Sequence, residues 1–185
     1  MYINYVEQTQ VLINKTIIGI AYNKPIDKSQ FGGYVMIKNS VEEFINTTDV
    51  KNELSVMAVV ICNNRILSTN EIIYGKETIS LPKGHKEDNE SIIETAIREC
   101  FEETNIVISE KHLIKELTPY CYEFLTPSNK LIRKTIIPFL FEVDNEGNPI
   151  PKEARMISVQ WMKIEDFLEN CSYESVKKIV QNALL

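Results

Sequence analysis

Hydrophobic and polar positions change their period several times along the chain, and each change marks an element. Glu53–Cys62 is apolar almost throughout (LSVMAVVIC after the glutamate), the pattern of a strand buried on both faces. Asn63-Asn64 predicts a hairpin turn, because Asn tolerates positive φ, and Arg65–Ile73 returns as the partner strand. Thr78–Leu81 predicts a short strand ending at Pro82. The period then lengthens. Ile93, Ala96, Ile97 and Cys100 recur at i, i+3, i+4 and i+7, the stripe of a core-facing helix. Ser91 and Glu94 have capping-box spacing and Asn105 suits the left-handed residue beyond a helix end, so the helix is expected from Ser91 to Thr104.

Beyond it, Ile106–Ser109 is expected to be a strand. Leu113–Leu125 and Lys130–Val143 predict a long antiparallel pair around the turn-rich Thr126-Pro127-Ser128-Asn129. Asp144–Ala154, with a glycine and two prolines, is a loop. Ile157–Met162 is a strand carrying Trp161, the chain's only tryptophan. Ile164–Glu169 and Tyr173–Leu185 predict a short and a longer helix, the second with Val176, Ile179, Val180 and Ala183 at helical spacing. Upstream, Gln10–Ile20 and Gly33–Lys38 read as short strands and Phe31–Tyr34 as a turn or bulge. Val41–Ile45 suggests a helical turn or two, with Ser40 and Glu43 in capping-box spacing. No catalytic motif falls in that region. Residues 1–52 are therefore expected to be an N-terminal extension packed on a main domain of residues 53–185, either a structural appendage, a dimer interface or a substrate wall.

Charge changes this picture in one place. Of 185 residues with a net charge of −6, the stretch Gly84–Ile106 alone carries −5: seven acidic residues face only Lys86 and Arg98. Within its helix Glu99, Glu102 and Glu103 stand at i, i+3 and i+4, on a face away from Ile93 and Ile97. Like charges at this spacing repel, and they lie at the end of the macrodipole that disfavours anions. A solvated acidic face is one explanation. A hard divalent cation is the other, since it reverses both penalties. Elsewhere the charge excludes partners. A pI near 5.1 and no basic arm argue against nucleic-acid binding. The four cysteines have no CxxC or zinc spacing and are expected to be reduced thiols of a cytoplasmic protein. No run resembles a signal peptide or a membrane span.

The spacing around the acidic helix is more specific than its charge. Gly84, five residues, Glu90, seven residues, then Arg98-Glu99-Cys100-Phe101-Glu102-Glu103-Thr104-Asn105-Ile106 resembles the Nudix box. Gly84, Glu90, Arg98, Glu99, Glu102, Glu103 and Ile106 match it. Cys100 stands where an aliphatic residue is usual, and Asn105 replaces the final glycine; neither is a metal ligand. The resemblance implies an α/β fold, the Nudix α/β/α sandwich with a mixed β-sheet, over residues 53–185. It implies an enzyme that hydrolyses a pyrophosphate bond in a nucleoside diphosphate joined to another group. It implies that Glu99, Glu102 and Glu103 bind Mg²⁺, with Mn²⁺ as a substitute, that Arg98 orients the carboxylates, with Glu90 as a partner, and that Gly84 allows close backbone approach.

Leu81-Pro82-Lys83-Gly84-His85 resembles the branch of the family acting on dinucleoside polyphosphates, in which Lys83 would contact a phosphate; His85 needs no chemical role. ADP-ribose or a nucleotide sugar is the alternative substrate, and a non-catalytic nucleotide sensor the alternative class. Tyr120 and Tyr122 alternate on one strand face and are candidates to stack on a base, against the simpler reading of packing. Lys134, like Arg133, lies on the partner strand within reach of a phosphate. A carboxylate outside the box often serves as base or extra ligand in this family; Glu153 is the candidate, with Glu142 and Glu146 as alternatives. The expected partner is a nucleotide-type small molecule, with neither nucleic acid nor membrane, and the N-terminal extension makes a homodimer plausible.

Overall fold

The computed structural model describes residues 8–13, 16–22, 50–73, 75–125 and 131–185. The chain divides into two compact units: Met1–Glu53 with Cys121–Thr135, and Leu54–Tyr120 with Ile136–Leu185.

In the first unit, β1 (Gln8–Ile13) and β2 (Thr16–Tyr22) form an antiparallel hairpin with a register shift at Val11/Leu12, over the region Gln10–Ile20 that reads as strand. The strand expected at Gly33–Lys38, the turn at Phe31–Tyr34 and the helical turns at Val41–Ile45 lie outside the described residues. The unit also holds most of β8 (Tyr120–Leu125), which pairs with β9 (Leu131–Glu142). There the buried Glu123 accepts from Arg133 Nε at 2.9 Å.

The second unit is a mixed open sheet with helices. Its strand order is β10 (Met156–Lys163), β4 (Arg65–Ile73), β3 (Val50–Cys62), β9, β7 (Leu113–Glu116); β5 (Lys76–Ser80) pairs with β4 and β6 (Lys83–His85) with β3. Alternation along β3 explains its unbroken apolarity. Val56, Ala58, Val60 and Cys62 face a core shared with Phe139, Phe141, Val159, Trp161 and the helix residues Ala96 and Cys100. Met57, Val59 and Ile61 point the other way and are buried as well. Asn63, at φ 53°, makes the β3–β4 turn with Asn64, as its tolerance of the left-handed region predicts.

Helix α1 (Ile92–Thr104) is bounded by the signals in its sequence. Ser91 Oγ accepts from the Glu94 amide at 3.3 Å, and Glu94 accepts from the Ser91 amide at 2.7 Å. Asn105 turns left-handed at φ 62° and donates its N–H to the Phe101 carbonyl at 2.9 Å. The C-terminal α2 (Ile164–Asn170) and α3 (Glu174–Ala183) follow, the latter burying Val176, Ile179, Val180 and Ala183 as its stripe predicts.

Two strand expectations fail. Ile106–Ser109 is not a strand. Its backbone finds side-chain partners instead: the Ile106 amide donates to Thr104 Oγ1 at 3.1 Å and the Ser109 amide to His112 Nδ1 at 3.0 Å. Nor is Leu113–Leu125 one strand. It breaks into β7 and β8 at Leu117-Thr118-Pro119, where Pro119 has no N–H for a ladder.

Candidate active site

The C-terminal half of α1 and strand β6 meet in the second unit, and their contact decides which carboxylates are wet. Periodicity placed Glu99 and Glu103 away from the apolar stripe. The structure buries both, at 8% and 0% exposure, beside Thr95, Ala96 and Cys100, while Ile93 and Ile97 are only partly buried. The cause is the loop that precedes the helix. Val56 pairs with Gly84 and Met57 with Lys83, so β6 is fixed against β3 and lies over the helix end. The Lys83 amide donates to Glu103 Oε2 at 3.0 Å. Gly84 lies so close to Glu99 that a Cβ there would come within 1.9–2.0 Å of its carboxylate. The solvated-face explanation therefore does not hold for these two residues; Glu102 is the one left half-exposed, at 49% of its side chain.

Arg98 organises the outer part of this cluster. Its Nε and Nη2 grip Glu90 with bonds of 2.9 and 2.7 Å, a forked pair. Nη1 reaches both Glu99 and Glu102 at 2.8 Å, and Nη2 also donates to the His85 carbonyl at 2.9 Å. The Arg98 hydrogen bonds hold the Glu90 carboxyl down at about 2, with the Glu87 amide and Thr95 hydroxyl adding to them. Burial pushes the Glu99 carboxyl up, against the pull of Arg98.

The inner part adds Glu71 and Arg155, which the sequence reading missed, to Lys83, Glu103 and Glu153. Glu71 on β4, fully buried, accepts from Lys83 Nζ at 2.9 Å and from Arg155 Nη1. Arg155 Nη2 donates to Glu103 Oε1 at 2.5 Å and its Nε to Glu153 Oε2 at 2.6 Å. Burial raises the Glu103 carboxyl to about 7, and Lys83 and Arg155 offset only part of that. A signal for Glu71 did exist. Leu67, Thr69 and Glu71 share one face of β4, so a carboxylate stands in a series that Leu67 places in the core. Nothing comparable marks Arg155, which lies in the loop before β10.

The expected site residues fall into two groups. Lys83, Gly84, Arg98, Glu99, Glu102, Glu103 and Glu153 come together, joined through Arg98 and Arg155. Glu146 pairs instead with Arg65 at 3.3 Å; burial raises the Cys62 thiol, and Glu146, Asp144 and Glu142 add to it. Tyr120 is buried at 7% exposure; Tyr122 and Lys134 belong to the first unit and are partly buried. All four cysteines are free and buried.

Among the described residues, no three acidic, cysteine or histidine side chains are gathered so as to hold a metal ion as they stand. Their oxygens are turned to Arg98, Lys83 and Arg155. The donor set nevertheless fits a hard divalent cation. Six carboxylates stand in two ion-paired groups, Glu90, Glu99 and Glu102 on Arg98, and Glu71, Glu103 and Glu153 on Lys83 and Arg155, so with all six ionised three negative charges are left uncompensated. The contact of Glu99 with Gly84, which leaves no room for a Cβ while Glu99 keeps its position, brings backbone and carboxylate together.

A family model described as the NUDIX domain matches residues 51–183, and the chain belongs to that family, as a Nudix hydrolase. Phosphatase NudJ of Escherichia coli K12 is 27% identical over 127 residues, covering 68% of this chain and 77% of its own. Among solved structures, an Ap4A hydrolase of C. elegans superposes with a TM-score of 0.56 at 16% identity, over 71% of this chain and 95% of that one. The NUDIX domain of Shewanella oneidensis NrtR, complexed with ADP ribose, gives 0.59 at 16% identity, over 79% and 99%. Among the described residues, no helix is long and apolar enough to cross a membrane.

Proposed function

We propose that the chain is a divalent-cation-dependent pyrophosphohydrolase that cleaves a pyrophosphate bond in a nucleoside diphosphate-linked substrate, a dinucleoside polyphosphate first among them. The observation that carries this reading is the set of six carboxylates at the end of α1 and beside it, faced by only three cationic side chains, Arg98, Lys83 and Arg155. Glu99, Glu102 and Glu103 would hold the cation, Mg²⁺ or Mn²⁺ in its place. When bound, such an ion neutralises phosphate charge and makes water a better nucleophile. Arg98 keeps the carboxylates in register. Glu102, the most exposed of the three, is the one free to meet a proton from water. Glu153 is the proposed further carboxylate. It lies near enough to Glu99 to push its carboxyl upward, while paired with Arg155.

Lys83 is the proposed phosphate contact within this reading. Its ammonium also donates to Glu71, so it supports the buried carboxylates as well. The Leu-Pro-Lys-Gly-His stretch favours the dinucleoside polyphosphate, while the fold is shared alike with the Ap4A hydrolase and the domain complexed with ADP ribose. The test is a product screen with Mg²⁺ over diadenosine tetraphosphate, ADP-ribose, a nucleotide sugar and a nucleoside triphosphate, comparing the native chain with Glu102→Gln. Diadenosine tetraphosphate is expected to turn over fastest. A preference for ADP-ribose would reassign the substrate, and tight binding without turnover of any would reject the catalytic reading.

A further inference from the structure

The three guanidinium nitrogens of Arg155 donate to three different carboxylates: Nη1 to Glu71, Nη2 to Glu103 and Nε to Glu153. Glu71 and Glu103 are both at 0% exposure. Two carboxylates so buried need counter-charge, because desolvation would otherwise force one to take up a proton. Lys83 supplies one positive charge and Arg155 the other.

Each Glu103 oxygen already accepts one donor, Oε1 from Arg155 and Oε2 from the Lys83 amide. A cation that takes the lone pair facing either donor displaces that donor. The Lys83 amide belongs to backbone pinned by the pairing of Lys83 with Met57. Arg155 is different. Its head sits at the end of a long side chain, 44% exposed, in the loop before β10. It also keeps Glu71 and Glu153 as anchors if it releases Glu103.

We infer that Arg155 is a positioning residue of the metal centre: it holds Glu71 and Glu103 together while no cation is bound, and yields Glu103 to the divalent ion when it arrives. The inference rests on the reading of Glu103 as a metal ligand given above. Arginine and metal then compete for the same carboxylate. The apparent metal affinity is reduced by the fraction of molecules in which Arg155 has let go, so a latch closed nine-tenths of the time weakens it about tenfold.

The test is a titration of the full chain with Mn²⁺ alone, without substrate, followed by electron paramagnetic resonance of the free ion. Native chain, Arg155→Ala and Arg155→Lys are compared. Both variants are expected to bind Mn²⁺ about tenfold more tightly than the native chain. The lysine variant separates two causes. It keeps the positive charge but lacks the fork that reaches three carboxylates, so tightening there reports the lost latch and not a lost charge. If Arg155→Ala tightens binding and Arg155→Lys does not, simple repulsion accounts for the effect and the inference is overturned. Native-like or weaker binding by both variants overturns it too, while leaving the metal reading intact. Absence of Mn²⁺ binding by the native chain overturns the metal reading and the inference together. Should Arg155→Ala fail to fold, Arg155→Lys alone decides.

Discussion

Arg98 touches Glu90, Glu99, Glu102 and the His85 carbonyl at once, and each contact has a separate consequence. The Glu90 contact is a stability device. Its carboxyl sits at about 2 in the folded chain against an ordinary 4.5, chiefly through Arg98. A depressed folded pKa stabilises above the unfolded value, and that stability is lost as pH falls through the folded one. Urea denaturation of native chain and Glu90→Gln should therefore show a gap at pH 6 that narrows as the pH falls from about 5 towards 2. A gap of constant size would show that the Glu90 charge is not the source. Gly84 allows a second residue-scale test. The three atoms nearest an added Cβ all belong to the end of the Glu99 side chain, so Gly84→Ala should fold with that carboxylate pushed aside and lose activity. We expect a loss of about 10–100-fold in hydrolysis, as for displaced groups that orient metal ligands, with an unchanged melting temperature. At this scale the box residues were legible because seven of them keep fixed spacings, whereas Glu71 and Arg155 are lone residues on β4 and in a loop, brought to the cluster only by tertiary packing.

Element boundaries were legible where their chemistry is local. The two ends of α1 follow from Ser91, Glu94 and Asn105, all within the helix or next to it. The apolar run of β3 and the Asn63-Asn64 turn are read from contiguous residues in the same way. Ile106–Ser109 shows the opposite case: its residues suit a strand, but its amides are taken by the Thr104 hydroxyl and the His112 ring, partners that no propensity anticipates. The inward rotation of Glu99 and Glu103 was hidden for a related reason, since β6 packs over a helix face that periodicity alone marks as polar. The helix caps supply the prediction at this scale. Ser91→Ala removes the capping hydroxyl and should lower stability by about 1 kcal/mol. Asn105→Ala places an ordinary side chain at φ 62° and should lower it by about 1–2 kcal/mol, whereas Asn105→Gly should be close to neutral. Denaturation midpoints check all three, and equal effects of alanine and glycine at residue 105 would contradict the conformational account.

For the whole molecule, the mixed sheet brings together residues distant in sequence: Glu71 from β4, Lys83 and Gly84 from β6, Glu99 to Glu103 from α1 and Arg155 from the loop before β10. The family was legible from one helix and its preceding loop, because its chemistry requires carboxylates at fixed helical spacing. Substrate choice was not, because the candidates for it, Tyr120, Tyr122 and Lys134, carry no fixed spacing of their own. The central claim is that this cluster works with a divalent cation. Its most direct test is the rate of diadenosine tetraphosphate hydrolysis after treatment with a chelator, then with Mg²⁺ restored, in native chain and Glu102→Gln. The account predicts that the native rate vanishes with the chelator and returns with Mg²⁺, while Glu102→Gln stays folded and remains at least about 100-fold slower. Native hydrolysis that persists in the chelator, or a Glu102→Gln rate equal to the native one, would contradict it.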